Sequence, residues 1–201
     1  MKVRLPQGVG GGPSNMQAVL KQAQKMQQDL LRMQEEMEAK TYEATAARCA
    51  AMKQELIIPG RFFNPDDAEN IPTGELRKVD GTPMDFRFPK PIGRDINDDY
   101  DALKLQNGYD HNFEAYTDPC AILSDPVSGR TMAVSTDCPG IQLYTGNFLD
   151  EHGKNGIYYG KRSGVALETQ FYPDSVNHPE WPQPFVKAGE PYHSETRYTF
   201  I

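Results

Sequence analysis

The spacing of hydrophobic residues changes character near residue 50. Between Ser14 and Ala47 the chain contains no glycine or proline, and hydrophobic side chains recur at alternating intervals of three and four residues. This spacing matches the a and d positions of a heptad repeat, which place one apolar seam along a helix. We predict one long α-helix over 14–47, capped by Ser14, between a flexible tail over 1–13 and a junction over 48–53. The seam consists of Met16, Val19, Ala23, Met26, Leu30, Met33 and Met37.

The predicted seam requires a partner, because one amphipathic helix cannot bury its own apolar face. Methionine dominates the seam, and its flexible side chain adapts to irregular surfaces. We therefore expect the helix either to drive self-association or to pack against the rest of the chain.

From Gln54 onward, hydrophobic and polar residues alternate, and glycine and proline recur every few residues. Alternation with a period of two is typical of half-buried strands separated by turns. The run AILSDPVSGRTMAVST predicts two strands joined by a turn, and RKVDGTPMDFRF predicts a hairpin around Asp80 and Gly81. Further strands are predicted in GIQLYTGN, GVALETQFY and TRYTFI. We expect a mainly β domain over 54–201, an antiparallel β-sandwich preceded by the one long helix.

The segment from Gly164 to Phe171 carries a carboxylate within an otherwise half-buried strand. Glu168 is either a solvated surface residue or a functional one, and the strand pattern alone leaves both readings open. A base that works near pH 7 benefits from partial burial, which raises a carboxyl pKa. The two predicted faces are Val165, Leu167, Thr169 and Phe171 against Ala166, Glu168 and Gln170.

Composition excludes several classes of protein. The 201 residues carry a formal net charge of −7, so the bulk of the chain lacks the clustered cations that bind nucleic acid. No apolar run approaches the length of about 18 residues that spans a membrane. The start of the chain has no apolar signal region, which predicts a cytoplasmic protein with reduced cysteines. A disulfide between Cys120 and Cys138 is the alternative that their spacing allows.

Two motifs invite a ligand interpretation without requiring one. DINDDYD alternates Asp95, Asn97, Asp99 and Asp101 like a calcium loop, but the glycine and glutamate of such loops are missing at their positions. We interpret it as a solvated acidic loop and predict no metal and no cofactor. Trp181 in NHPEW is either a packing residue or a platform for a sugar ring.

The opening of the chain resembles a known family. MKVRLPQGVGGGPSNMQAVLKQAQKMQQDLLRMQEEMEAKTYEATA is similar to the N-terminal tail and first helix of the YbaB/EbfC nucleoid-associated proteins. The likeness ends near Ala47, before the sheet and second helix of that family. Its members are small DNA-binding dimers, so the resemblance implies DNA as an alternative partner.

The remaining chain, from about Gln54 to Ile201, resembles the C-terminal half of the galactose mutarotases, or aldose 1-epimerases. The likeness is carried, in order, by IPTGEL, GTPMDFRFPKPIG, GYDHNF, DPVSGRTMAVSTDCPGIQLYTGNFLD, KRSGVALETQFYPDSVNHP and AGEPYHSETRYTF. It implies a β-sandwich that binds a monosaccharide of the galactose or glucose class and interconverts its anomers. By the resemblance, Glu168 is the catalytic base, and Asp110 and Gln142 bind substrate hydroxyls.

The same resemblance leaves the general acid without a counterpart. His111, His152, His178 and His193 are the only histidines, and none matches the acid histidine of the family. We expect a truncated aldose 1-epimerase-like protein that binds a monosaccharide, with at most weak anomer interconversion. Half of such a sandwich leaves strand edges unpaired, so we expect self-association through the helix or through the open sheet. The alternatives are a nucleoid-associated or oligomerising protein that acts through its helix, and a recombined chimera without evolved activity.

Overall fold

The structure is a computed structural model, and it describes residues 50–201. The predicted tail over 1–13 and the predicted helix over 14–47 lie outside the described residues. Both remain predictions.

Antiparallel strands dominate the described residues, as the alternating pattern predicts. The helices are α1 (Ala50–Lys53) and α2 (Asp101–Gln106), with 3₁₀ turns at Lys154–Gly156 and Ser175–Asn177. The strands are β1 (Glu55–Ile57), β2 (Phe62–Phe63), β3 (Arg77–Lys78), β4 (Lys90–Pro91), β5 (Asp110–Glu114), β6 (Ala121–Ser124), β7 (Thr131–Thr136), β8 (Gly140–Tyr144), β9 (Glu151–His152), β10 (Tyr158–Tyr159), β11 (Ala166–Gln170) and β12 (Thr196–Phe200).

Two five-stranded sheets form the body of this domain. The first sheet has the order β12-β7-β6-β1-β4, and the second has the order β11-β8-β5-β2-β3. Both sheets contribute to one hydrophobic core, for example through Leu56 and Val134 from the first and Phe113 and Leu143 from the second. Two sheets that share one core are the architecture of a β-sandwich, so the predicted fold class is confirmed. The strands β9 and β10 form a separate small ribbon.

The predicted hairpin in AILSDPVSGRTMAVST forms as expected. Ser124 at the end of β6 lies opposite Thr131 at the start of β7. The Asp125 carboxylate stabilises the turn by accepting hydrogen bonds from the Val127 amide at 3.0 Å and the Ser128 hydroxyl at 2.7 Å. The strands predicted in GIQLYTGN, GVALETQFY and TRYTFI correspond to β8, β11 and β12.

The predicted hairpin in RKVDGTPMDFRF is wrong. β3 pairs with β2 in the second sheet, whereas the strand that follows the turn, β4, pairs with β1 in the first. The intervening segment crosses from one sheet to the other and buries Met84 and Phe86 completely in the core. Their alternation with polar residues therefore reflects burial of a connection and not pairing of two strands.

The carboxylates of the acidic segment DINDDYD pair with separate lysine and arginine side chains. Asp95 contacts the buried Lys90 ammonium at 2.8 Å and Arg94 at 2.9 Å, and hydrogen bonds from Arg94 and Lys90 lower the Asp95 pKa to about 2. Asp101 contacts Arg77 at 2.8 Å, and Asp99 pairs with Lys104. Among residues 50–201, no group of three or more histidine, cysteine or acidic side chains is arranged to hold a metal ion.

Cys120 and Cys138 are free thiols, so the alternative of a disulfide between them is wrong. Burial raises the pKa of the Cys120 thiol to about 11, which disfavours its reactive thiolate. No helix within residues 50–201 has the length and apolar character needed to cross a bilayer.

Candidate functional site

A row of polar side chains crosses the outer face of the second sheet. Glu168 on β11 lies opposite Gln142 on β8, and Gln142 lies opposite Asn112 on β5. Residues that are directly opposed in antiparallel strands project from the same face. Asp110 and Gln170 lie two residues from members of this row and therefore share its face.

The opposite face of these three strands is apolar and faces the core. Leu167 lies opposite Leu143, which lies opposite His111. Leu143 and His111 are almost completely buried. The alternation predicted for residues 164–171 is therefore confirmed, with Glu168 on the outer face and Leu167 on the inner one.

Hydrogen bonds fix the orientation of the Gln142 side chain. Its Nε2 donates to Asp110 Oδ1 at 2.8 Å, and its Oε1 accepts from Gln170 Nε2 at 2.9 Å. Gln170 Nε2 also lies 3.2 Å from Asn112 Oδ1. Because each group restrains the next, Asp110 and Gln142 are held in one geometry before any ligand arrives.

The two carboxylates of this face differ in their surroundings. Burial raises the pKa of Asp110, and the hydrogen bond from Gln142 acts in the opposite direction. Glu168 is exposed, which agrees with the interpretation of its position as a solvated strand face and leaves its functional role a prediction. The reason is its position, because β11 is the outermost strand of its sheet and has only β8 beside it.

These side chains line an open hollow, which we call the first hollow. Its volume is about 320 Å³, and its walls are Asp110, Gln142, Tyr144, Glu168, Gln170 and Pro173. The three residues singled out in the sequence, Glu168, Asp110 and Gln142, thus lie together on one surface. Their functional roles stay predictions.

A second hollow of about 370 Å³ adjoins the first and shares Asp110, Gln142 and Pro173 with it. Its other walls include Asn64, Asp66, Asn70, Gln106, Asn112 and Phe148. Asp66 and Gln106 were not identified from the sequence, because they lie in a loop and a short helix with no alternating pattern. Burial raises the pKa of Asp66 to about 6, the hydrogen bond from Gln106 opposes this rise, and the neighbouring Asp110 adds to it.

All four histidines lie within the described residues, and none lines either hollow. His111 is 1% exposed on the core face, and burial lowers its pKa to about 4. His152 packs against Tyr158 of the β9–β10 ribbon, with ring centroids 5.1 Å apart. His193 is exposed in the segment before β12.

His178 and Trp181 belong to the loop after β11. The Trp181 side chain is buried, stacked on His178 at 4.2 Å and in edge contact with Tyr172 at 5.6 Å. This packing favours the structural interpretation of Trp181 over that of a sugar platform.

The segment that leads into β11 is tied to helix α2 by one arginine. Arg162 donates from Nη1 to Asn97 Oδ1 at 2.9 Å and from Nη2 to the carbonyl oxygen of Asn107 at 3.1 Å. Asn107 is the residue that ends α2, in a left-handed conformation with φ of 55°. Arg162 therefore satisfies a carbonyl at the helix C-terminus, which otherwise lacks an intrahelical donor.

Fold and site together define an antiparallel β-sandwich protein with an open, polar, ligand-sized cleft on the outer face of one sheet. Residues 48–199 match the aldose 1-epimerase family. The chain belongs to this family, and the resemblance seen in the sequence is confirmed. Residues 11–50 match the YbaB/EbfC DNA-binding family, as the opening of the chain predicts.

Curated relatives and solved structures agree with this assignment. The chain is 41% identical over 152 residues to human galactose mutarotase, covering 73% of this chain and 43% of that protein. It is 41% identical over 147 residues to the aldose 1-epimerase of Escherichia coli K12, covering 69% and 42% respectively. Among solved structures, an aldose epimerase homologue from C. elegans superposes with a TM-score of 0.66 at 26% identity, over 76% of this chain and 46% of that one. The galactose 1-epimerase of Lactobacillus acidophilus gives a TM-score of 0.60 at 26% identity, over 76% and 45%. The chain thus spans less than half the length of these relatives.

Proposed function

We propose that this protein binds an aldose of the galactose or glucose class in the first hollow and interconverts its anomers slowly, with Glu168 as general base. The observation that carries the proposal is the convergence of Glu168, Gln142 and Asp110 on one face of three hydrogen-bonded strands. The family relationship supports it, since relatives that share this half of the fold are named for mutarotation or epimerisation.

Asp110 and Gln142 retain hydrogen-bond donors and acceptors that can bind a ligand. Each sugar hydroxyl has one donor and two acceptor sites, and a carboxylate beside a primary amide satisfies both kinds. Gln142 donates one amide proton to Asp110 and accepts one hydrogen bond from Gln170. One amide proton and one lone pair of the Gln142 oxygen remain for a ligand. The hydrogen bonds already made within the hollow reduce the entropy lost when the ligand binds.

The reaction begins with a proton transfer to Glu168. Its carboxylate accepts the proton of the anomeric hydroxyl as the bond between C1 and the ring oxygen breaks, which gives the open-chain aldehyde. The ring oxygen gains a proton in the same step. Rotation about the C1–C2 bond followed by ring closure, with both proton transfers reversed, yields the other anomer.

Protonation of the ring oxygen limits the rate in this proposal. No histidine from residues 50–201 lines the hollow, so in this proposal water, or a histidine of a partner chain, protonates the ring oxygen inefficiently. Loss of one positioned general acid typically costs about 100- to 10,000-fold in rate. Slow turnover, with sugar binding intact, is therefore the expected behaviour of this chain.

The test compares wild type with Glu168→Gln and with Glu151→Gln, a matched control on the exposed strand β9. Sugar binding is followed by protein NMR during titration with glucose and galactose, and anomer exchange by polarimetry on freshly dissolved α-anomers. We expect Glu168→Gln to bind sugar but to return to the uncatalysed rate, while Glu151→Gln matches wild type. Equal exchange rates in wild type and Glu168→Gln remove the catalytic role, and the absence of shift changes at Asp110 and Gln142 removes the binding site.

DNA binding through the N-terminal segment stays a prediction, and so does self-association through the predicted helix or through an open sheet. The match of residues 11–50 to a DNA-binding family is the observation behind the first. A mobility shift at two salt concentrations tests it, since binding through phosphates weakens as salt rises. Light scattering after gel filtration tests the second.

A further inference from the structure

Strand β12 ends the first sheet and has an open edge. Among the described residues its one neighbouring strand is β7. Ile201, directly after β12, exchanges both backbone hydrogen bonds with Thr131, at 2.9 and 3.2 Å. In an antiparallel ladder such hydrogen-bonded pairs alternate with pairs that are not hydrogen-bonded. Thr196, Tyr198 and Phe200 therefore direct their N–H and C=O groups away from β7, toward the open edge.

The side chains of these three residues form a strip that the sandwich covers only at one end. Thr196 faces the second sheet, because its hydroxyl oxygen lies 2.6 Å from that of Thr169 near the end of β11. Tyr198 and Phe200 project from the same face of β12, yet they are 47% and 76% exposed. The second sheet thus covers the start of β12 and leaves the two aromatic rings that follow in contact with solvent.

We propose that β12 pairs with β12 of a second copy of this chain, antiparallel and about a two-fold axis through Tyr198. In this register Tyr198 lies opposite Tyr198 of the second copy, and Thr196 lies opposite Phe200 of the second copy. All three residues then exchange hydrogen bonds with their counterparts, which satisfies the open donors and acceptors of both edges. The inference does not depend on the proposed sugar chemistry, and it assigns the predicted self-association through an open sheet to one strand and one register.

The two-fold axis makes β12 complementary to itself. The axis is perpendicular to the sheet, so the rings of Tyr198 and Phe200 from both copies lie on one side of the joined sheet and within reach of one another. Arg197 lies opposite Thr199 of the second copy, so no like charges are directly opposed. Arg197 also contacts Glu195 of its own chain at 3.0 Å, which leaves this edge neutral. A neutral edge with aromatic rings favours an identical strand over a charged partner.

The other open edges fit such pairing less well. β3 and β4, which end the two sheets on the opposite side, contain two residues each. β11 has five residues, but Glu168 is at its centre, so a two-fold axis there would oppose two carboxylates. β12 combines five residues, an uncharged central residue and exposed aromatic rings.

The exposed area of the two rings sets the expected strength of the dimer. With about 200 Å² for each aromatic side chain, the exposed fractions of Tyr198 and Phe200 amount to roughly 500 Å² in two copies. Stable specific interfaces bury about 1,200 Å² or more. We therefore expect a reversible dimer with a dissociation constant of about 100 μM.

The test is sedimentation velocity of the full chain at concentrations on both sides of this value, for wild type, Tyr198→Lys and the control Tyr192→Lys. Tyr192 is 59% exposed in the segment before β12, so both variants replace an exposed tyrosine with a cation. Tyr198→Lys removes a ring and places two like charges at the axis. We expect its dissociation constant to rise about tenfold, while Tyr192→Lys matches wild type.

A mixture of Tyr198→Lys and Tyr198→Glu tests the position of the axis. Each variant alone should associate more weakly than wild type, because each opposes two like charges. An equimolar mixture should recover the dimer, since opposite charges then face each other across the axis. Recovery in the mixture also shows that both variants are folded.

Wild type that is monomeric at every concentration overturns this inference. So does an assembly that Tyr198→Lys leaves unchanged or that Tyr192→Lys weakens equally, since another surface then holds the copies together. A mixture that associates no better than its components excludes an axis through Tyr198. Sugar binding in the first hollow is measured separately, so the proposed function can fail without this inference and this inference without it.

Discussion

The side-chain amide of Gln142 donates a hydrogen bond of 2.8 Å to the carboxylate of Asp110 on the neighbouring strand. The two residues are not directly opposed, since Gln142 faces Asn112 and Asp110 faces Tyr144 across the same pair of strands. The bond therefore runs diagonally and couples two steps of the β5–β8 ladder. It makes the floor of the first hollow one unit, so a change at either residue alters both.

Substitution of Gln142 should disable the hollow without unfolding the protein. Gln142→Met keeps the length of the side chain but removes the donor to Asp110 and the acceptor for Gln170. We expect glucose affinity to fall about tenfold or more, because a polar site left unpaired discriminates strongly against its ligand. NMR titration measures this loss, and Gln54→Met, at a glutamine that lines neither hollow, is the control. Unchanged affinity in Gln142→Met would show that the amide does not contact the sugar.

Asp66 should make the folded state less stable as pH rises. Its folded pKa of about 6 exceeds the unfolded value of 3.8, so the unfolded chain releases this proton at lower pH than the folded chain does. The resulting penalty is absent below about pH 4, grows through about pH 6 and is then constant at about 2 kcal/mol, less than the full value for this pKa difference because Asp66 is only partly buried. Asp66→Asn removes it, because an amide does not titrate.

Urea denaturation across this pH range checks the effect of Asp66. Asp66→Asn should be more stable than wild type at pH 7.5, and the difference should vanish near pH 4. The exposed Asp99→Asn is the control, with a change below about 0.5 kcal/mol at either pH. A difference for Asp66→Asn that is independent of pH would contradict the assignment.

His111 should make the folded state less stable as the pH falls, whereas Asp66 makes it less stable as the pH rises. Burial lowers the pKa of His111 from 6.5 to about 4 in the folded state. Between these pH values the unfolded chain binds a proton at this residue and the folded chain does not. Its contribution is fully present above about pH 6.5 and is lost as the pH falls to about 4, a change of about 3 kcal/mol.

His111→Asn removes this titration and keeps an acceptor near the Asp110 amide, which donates to His111 Nδ1 at 3.1 Å. The variant should be less stable than wild type at pH 7.5, because it leaves space in the core. Its deficit should shrink toward pH 4.5 in urea denaturation. A constant deficit, or an imidazole that titrates near pH 6.5 by NMR, would contradict a buried neutral His111.

The Lys90–Asp95 pair should respond unequally to loss of its two members. Lys90 is 2% exposed, donates to the Pro83 carbonyl, and lies 4.1 Å from the ring centroid of Phe86. Asp95→Asn leaves this buried ammonium without its counter-charge and should cost about 3 kcal/mol of unfolding free energy. Lys90→Met, which removes the buried charge itself, should cost less.

The double variant Lys90→Met/Asp95→Asn separates a charge effect from a packing effect. It should be more stable than Asp95→Asn alone, as measured by urea denaturation at pH 7. If the two single losses add, the two residues do not act as a pair.

The local alternation of side chains could be predicted from the sequence, and three of the six residues that line the first hollow were singled out there. Glu168 and Leu167 fall on the faces that a period of two requires, and the family resemblance singled out Asp110 and Gln142. The sequence pattern left open whether Glu168 is a solvated surface residue, because its exposure depends on β11 being the last strand of its sheet. Strand order is a tertiary property that no local pattern encodes.

Asp66 and Phe86 show two other limits of sequence reasoning. Asp66 belongs to NPDDAEN, a typical turn composition, and only packing against Gln106 of α2 gives it a place in a hollow. Phe86 alternates like a strand residue but belongs to a crossing between sheets, since burial of its ring at 0% exposure requires no strand partner. Periodicity in the sequence predicts which side chains are buried, but it does not predict which strand or loop packs beside them.

The two hydrogen bonds donated by the Arg162 side chain connect two elements of the domain. Arg162 joins the segment that leads into β11, the strand that carries Glu168, to the last turn of α2. Gln106 of the same helix donates a hydrogen bond to Asp66. The edge strand is therefore connected to the rest of the domain in two ways, through its ladder with β8 and through the Arg162 side chain. Arg162→Ala would keep the backbone ladder between β11 and β8 but would remove the side-chain link between the start of β11 and the end of α2.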